Sequence, residues 1–148
     1  LDIKAISKLG QELISRFDIK ASSAQQPVGT LSGGNIQKVV IAREFSTGPQ
    51  VIIANQPTRG IDIGATESAH KYLVEATEIG TAVLLVSADL TEVMSLSNRL
   101  IVMYEGQVVA YFDEAQGLDE EEIGLYMLGL KRQEPDEVIA SMMGRPVE

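Results

Sequence analysis

Between Asp2 and Phe17, apolar residues recur at Ile3, Ile6, Leu9, Leu13 and Phe17, with Asp, Lys, Gln and Glu between them. Steps of three and four residues put these side chains on one face of a helix, so a packed amphipathic helix is predicted over residues 2–17. The pattern dissolves from Asp18 to Thr30, where "IKASSAQQPVGT" has the Ser, Pro and Gly content of a loop. A second helix is predicted from near Ser32 to about Ser46. "VIIAN" at 51–55 is a compact apolar run suited to a buried strand, and the "QPTRGIDIGA" that follows is rich in turn formers. Ala65, Ala69, Tyr72, Leu73 and Ala76 then fit a helix that Gly80 stops, and "AVLLVS" at 82–87 makes a second buried strand. Strand, helix and strand in that order imply a parallel pair with a right-handed crossover. A short helix near 90–96 leads to "RLIVMY" and "QVVAYF", whose junction at Glu105 and Gly106 predicts a hairpin. Ile123, Met127 and Leu130, and the later "PDEVIASMMG", predict peripheral helices. No repeat or low-complexity tract interrupts this order.

Composition narrows the function classes. The 148 residues are 45% hydrophobic, enough for a real core, and their net charge is -9. Nucleic-acid binding needs a surplus of Lys and Arg on one face, so no nucleic-acid partner is expected. The absence of cysteine excludes disulfide scaffolds and thiolate metal sites and fits a reducing compartment. The longest apolar runs, such as "AVLLV" at 82–86, fall far short of the roughly 20 residues that cross a bilayer. The chain starts at Leu1 with no charged and apolar leader pattern, and Leu1 is read as an excision point within a longer polypeptide.

"LSGGNIQK" at 31–38 is the first stretch with chemistry in it. Two glycines opening a helix leave backbone N–H groups at the positive end of the helix dipole with no Cβ to keep an anion away, and Ser32 adds a hydroxyl. Taken alone, "SGG" is better explained as an N-cap serine followed by flexible glycines. It does not stand alone. "LSGGN" (31–35), "QPTRGID" (56–62), "LLVSADLTEV" (84–93) and "NRLIVMYEGQVV" (98–109) follow one another in the order and spacing of one family. On these motifs, which cover roughly the central half of the chain, the sequence resembles the C-terminal part of an ABC-transporter ATPase domain. The details look most like the second nucleotide-binding domain of tandem importers for sugars and nucleosides.

The resemblance implies an α/β fold: a partial P-loop NTPase domain with a mostly parallel sheet core, a C-terminal β-hairpin and flanking helices, lacking the Walker A portion. One domain is expected, divided into a helical signature part (1–47), a part running from the Walker B strand to the last strands (48–112) and a helical tail (113–148). ABC domains, as the resemblance implies, pair head to tail, so that ATP lies between one domain's Walker motifs and the other's signature. Ser32, Gly33, Gly34 and Asn35 are then expected to bind ATP in trans, and Asp62 to be the D-loop residue that couples the two sites.

The sequence also departs from the family. Where the family has the Asp of the Mg²⁺ shell and the Glu that polarises water, this chain has Asn55 and Gln56, and the switch histidine is Ala88. An amide keeps the shape of a carboxylate but binds Mg²⁺ weakly and accepts no proton at neutral pH. The expectation is therefore an ATP-hydrolysing importer subunit that lends its signature to the first ATPase domain of the same polypeptide while its own site is degenerate. Its cofactors would be ATP and Mg²⁺, used by the full-length subunit only; the fragment alone is expected to bind neither and to be inactive. Permease subunits would be direct partners and an extracytoplasmic solute-binding protein an indirect one, at the cytoplasmic face of the membrane. Two other classes compete with this reading: a soluble ABC-type ATPase of translation or DNA repair, and a structural module that uses no nucleotide. Lys38 and Arg43 are read as stabilising the signature helix, and His70 as an ordinary surface residue. The acidic "LDEEE" at 118–122 reads as a solvated helix start, and Met142 and Met143 as a small apolar anchor for the tail.

Overall fold

A computed structural model describes residues 2–144, which form two compact units, one up to Val86 and one from Ser87 onward.

The first unit begins with helix α1 (Ile3–Arg16), whose start is capped by the Asp2 carboxylate accepting from the Lys4 and Ala5 N–H groups at 3.0 and 3.1 Å. Only the end of its apolar stripe is sheltered. Leu13 and Ile14 pack on Phe17, which is 1% exposed, while Ile3 remains 78% exposed and Ile6 and Leu9 are also open. The expected packed helix is thus packed in its last turns alone, because the described residues supply no apolar cover for the first two. Asp18, with φ 46°, turns the chain out of α1, and the following loop carries a short 3-10 turn at Val28–Thr30.

Helix α2 (Gly33–Phe45) and helix α3 (Ile63–Glu78) complete the core of this unit. Phe17, Phe45 and Tyr72 form an aromatic trio with ring centroids 4.7 to 6.5 Å apart, joining the end of α1 to α2 and α3. The buried positions of α3 are Ala65, Ala69, Leu73 and Ala76, mostly small side chains at helical spacing. Strand β1 (Val51–Asn55) pairs in parallel with β2 (Ala82–Val86), from Val51 opposite Ala82 to Asn55 opposite Val86, and α3 lies between them in the chain. Ile52, Ala54, Val83 and Leu85 share the more covered face; Val51, Ile53, Leu84 and Val86 share an exposed one.

The second unit holds α4 (Leu90–Leu96), the antiparallel pair β3 (Leu100–Tyr104) and β4 (Gln107–Phe112), α5 (Glu120–Met127) and α6 (Pro135–Met142). Glu105 (φ 48°) and Gly106 (φ 76°) close the hairpin, the pair of positive φ values that matches strand twist in a two-residue turn. The register slips between Val102 and Met103, leaving Val109 as a bulge whose carbonyl accepts from the Gln133 N–H at 2.9 Å. The Gln133 side chain in turn accepts from the Tyr111 N–H at 2.8 Å, so one glutamine covers the edge of β4. Val93, Leu100, Val102, Ile123 and Tyr126 are central to the core here. α6 is anchored by Val138, 4% exposed, and not by Met142 or Met143, the latter 58% exposed.

Candidate functional site

The first turn of α2 is built differently from an ordinary capped helix start. Ser32 occupies the cap position with φ −65° and ψ 157°, yet its side chain makes no capping bond. Its Oγ instead accepts from Asn35 Nδ2 at 2.8 Å, and Asn35 Oδ1 accepts from the Lys20 N–H at 2.7 Å. The ladder of α2 starts with Ile36 N–H donating to the Ser32 carbonyl at 2.9 Å. The N–H groups of Gly33, Gly34 and Asn35 precede that first bond and have no intrahelical acceptor. They stand at the positive end of the helix dipole.

The two glycines differ in what surrounds them. A Cβ on Gly34 would lie 2.9 Å from the Ala65 Cβ and 3.1 Å from Asp62 Oδ2, so the close approach of α2 to the start of α3 requires glycine there. A Cβ on Gly33 would meet nothing within 4 Å. Asp62 caps α3, its Oδ1 accepting from the Ala65 N–H at 2.9 Å, and its other oxygen faces Gly34. The structure therefore brings Asp62 against the Ser32–Asn35 turn. A second tie runs from Gln37 Nε2 to the Pro57 carbonyl at 2.7 Å.

Asn55 ends β1 and Gln56 follows it. Gln56 has φ 50°, an uncommon conformation for a residue with a Cβ, held by its N–H donating to Val86 O at 2.7 Å and its carbonyl accepting from the Arg59 N–H at 3.2 Å. Both side chains end in neutral amides. Ala88 belongs to the second unit, exposed on the loop before α4, beside Asp89, whose carboxylate caps that helix.

Lys38 Nζ donates to the Asp18 carbonyl at 3.1 Å and lies 3.5 Å from its carboxylate, fastening α2 to the end of α1. The hydrogen bond and charge of Lys20, with Lys38 behind them, hold the Asp18 carboxyl below its ordinary value. Arg43 pairs with its exposed neighbour Glu44. His70 is half-buried on α3, and Asp119 caps α5 ahead of three glutamates in its first turn. No pattern in the sequence singles out Lys20, Gln37 or Asp18 for these contacts. Only the Ser32-to-Asn35 spacing carried a signal, being that of a capping box.

No family model matches the chain. The glucose import ATP-binding protein TsgD13 of Haloferax volcanii is 42% identical over 131 residues, 87% of this chain and 24% of that protein. The guanosine import ATP-binding protein NupO of Bacillus subtilis is 42% identical over 127 residues, covering 86% of this chain and 25% of that protein. The dimeric structure of MJ0796, a bacterial ABC transporter cassette, superposes with a TM-score of 0.67 at 26% identity, over 80% of this chain and 50% of that one. The chain's homologues are import ATP-binding proteins of ABC transporters, and its structural neighbours are ABC cassettes. It spans about a quarter of the import relatives it matches and half of the solved ABC cassette. A putative metal-chelate ABC transporter, 16% identical with a TM-score of 0.69, agrees in fold. The expected partial ABC ATPase fold, α/β with a parallel pair and a C-terminal hairpin, is the fold observed.

Proposed function

We propose that this chain is part of the second cassette of a tandem ABC importer ATPase, where the Ser32–Asn35 turn binds the γ-phosphate of ATP held by the first cassette. Its own catalytic positions, Asn55 and Gln56 after β1 and Ala88 before α4, are degenerate. The observation that carries the reading is the contrast between the glycines: Gly34 is explained by packing within the chain, whereas Gly33, at the start of the same helix, opens on space that no described residue fills. Three N–H groups without intrahelical partners and a serine hydroxyl that caps nothing supply donors for an anion. The unit that carries them has eight basic and eight acidic residues, so no net negative field of its own opposes a phosphate.

The tandem arrangement is supported by length, since the chain covers 50% of a single solved cassette but only 24% of TsgD13. The relatives' names, glucose and guanosine import, support uptake of a sugar or nucleoside. Permease subunits at the cytoplasmic face of the membrane are the partners this assigns. At the end of β1 the donor set does not fit Mg²⁺, a hard cation that wants carboxylate oxygens, and the described residues contain no cluster of three His, Cys, Asp or Glu able to hold a metal. No proton leaves an attacking water through Gln56, because an amide has no basic oxygen at neutral pH. Hydrolysis is therefore assigned to the first cassette, with this chain supplying the donors that face its phosphate.

Restoring the lost groups tests the reading. In a full-length protein whose first-cassette catalytic carboxylate has been removed, Asn55→Asp, Gln56→Glu and Ala88→His together are expected to bring back measurable ATP hydrolysis. With the first cassette's signature and the phosphate-loop lysine intact, continued silence of the triple variant overturns the roles given to these three positions.

A further inference from the structure

Asn35 decides what the Ser32 hydroxyl is able to do. A side-chain amide has one accepting and one donating end, and the Lys20 N–H, 2.7 Å away, can be met only by the accepting one. The donating end is thereby turned to Ser32 Oγ at 2.8 Å. Flipping the amide would set two donors against each other at Lys20, so its orientation follows from the backbone. With one lone pair of Oγ occupied by Asn35, the hydroxyl hydrogen must point elsewhere, and no hydrogen bond from it is made to any described residue. A hydroxyl that accepts one hydrogen bond is also polarised into a better donor for another.

We propose that Asn35 is a positioning residue: by holding Lys20 and Ser32 together it fixes the Ser32 hydroxyl as an outward donor to a phosphate oxygen of ATP. Phosphate oxygens accept hydrogen bonds, so the locked rotor matches the ligand and needs no ordering when it binds. This rests on the phosphate-binding reading above, and it changes the part played by Asn35 from direct ATP contact to action through Ser32. The loop around Lys20 becomes the outer support of the site, which the signature motif by itself does not reveal.

The test compares ATP hydrolysis by the full-length protein, as kcat/KM, for the parent, Ser32→Ala, Asn35→Asp and the double variant. The carboxylate in Asn35→Asp still accepts from Lys20 but presents an acceptor to Ser32, so the hydroxyl hydrogen turns inward. Each single variant is expected to lose about tenfold or more, in line with one hydrogen bond to a charged group, and the double variant to lose no more than the worse single. Lowering the pH protonates the introduced carboxylate and returns a donor to Ser32, so Asn35→Asp should regain activity relative to the parent. The double variant should show no such recovery relative to Ser32→Ala. If Asn35→Asp costs the same factor with and without the Ser32 hydroxyl, the effect is charge repulsion or loop damage and the positioning role is overturned. If Ser32→Ala leaves hydrolysis unchanged, the phosphate-binding reading fails first and this inference with it.

Discussion

Gly33 and Gly34 are adjacent, but they should answer mutation in opposite ways. Gly34→Ala pushes a methyl to 2.9 Å from the Ala65 Cβ, and such overpacking typically costs about 1–3 kcal/mol. Gly33→Ala enters open space and should leave the midpoint of denaturant unfolding unchanged or slightly raised, while lowering ATP hydrolysis in the full-length protein. Equal losses of stability would remove the distinction. Asp18 offers a pH test. Its carboxyl is held below the ordinary value of 3.8 by Lys20 first and Lys38 second, so the stabilisation is complete above that value and lost as the pH falls through the depressed one. Asp18→Asn tolerates the same positive φ but lacks the charge. Thermal unfolding should find it less stable than the parent at neutral pH, with the difference shrinking as the pH falls below 3.8. The departures from the motif at Asn55, Gln56 and Ala88 are legible as residue types in the sequence. The Lys20–Asn35 bond and the positive φ of Gln56 are not, because both depend on where a loop or a turn returns in space.

The helices and strands follow closely from periodicity, since each has either an apolar rhythm or a turn residue at its end. Gly106 and the pair of apolar runs around it specify the hairpin; the bulge at Val109 and the edge cover by Gln133 have no pattern to announce them. The first turns of α1 show the limit of amphipathicity, which says that a face seeks cover without saying what provides it. The same holds for the sheet of the first unit. Parallel strands are normally covered on both sides, yet Ile53 is 70% exposed and its neighbour Leu84 is also open. That face should make the isolated chain self-associate. Ile53→Lys with Leu84→Glu places opposite charges on paired strands and should yield a monomer by light scattering. A parent chain that is already monomeric at high concentration would contradict this.

The chain's net charge of -9 arises wholly from Ser87 onward, where thirteen acidic residues face four basic ones, while the signature turn sits in an electroneutral unit. The proposed function divides the labour accordingly: donors at the start of α2 would serve ATP bound elsewhere, and the amides at the end of β1 would serve no chemistry. Comparing two substitutions in the full-length protein tests that division most directly. Gly33→Asp puts an anionic side chain into the space left for phosphate and should reduce ATP hydrolysis by about a hundredfold or more, the scale of losing a transition-state donor. Gln56→Ala, at a position to which the proposal gives no catalytic duty, should stay within about twofold of the parent, as expected of a substitution that removes no transition-state contact. Hydrolysis rates that fall as far in Gln56→Ala as in Gly33→Asp would contradict the account.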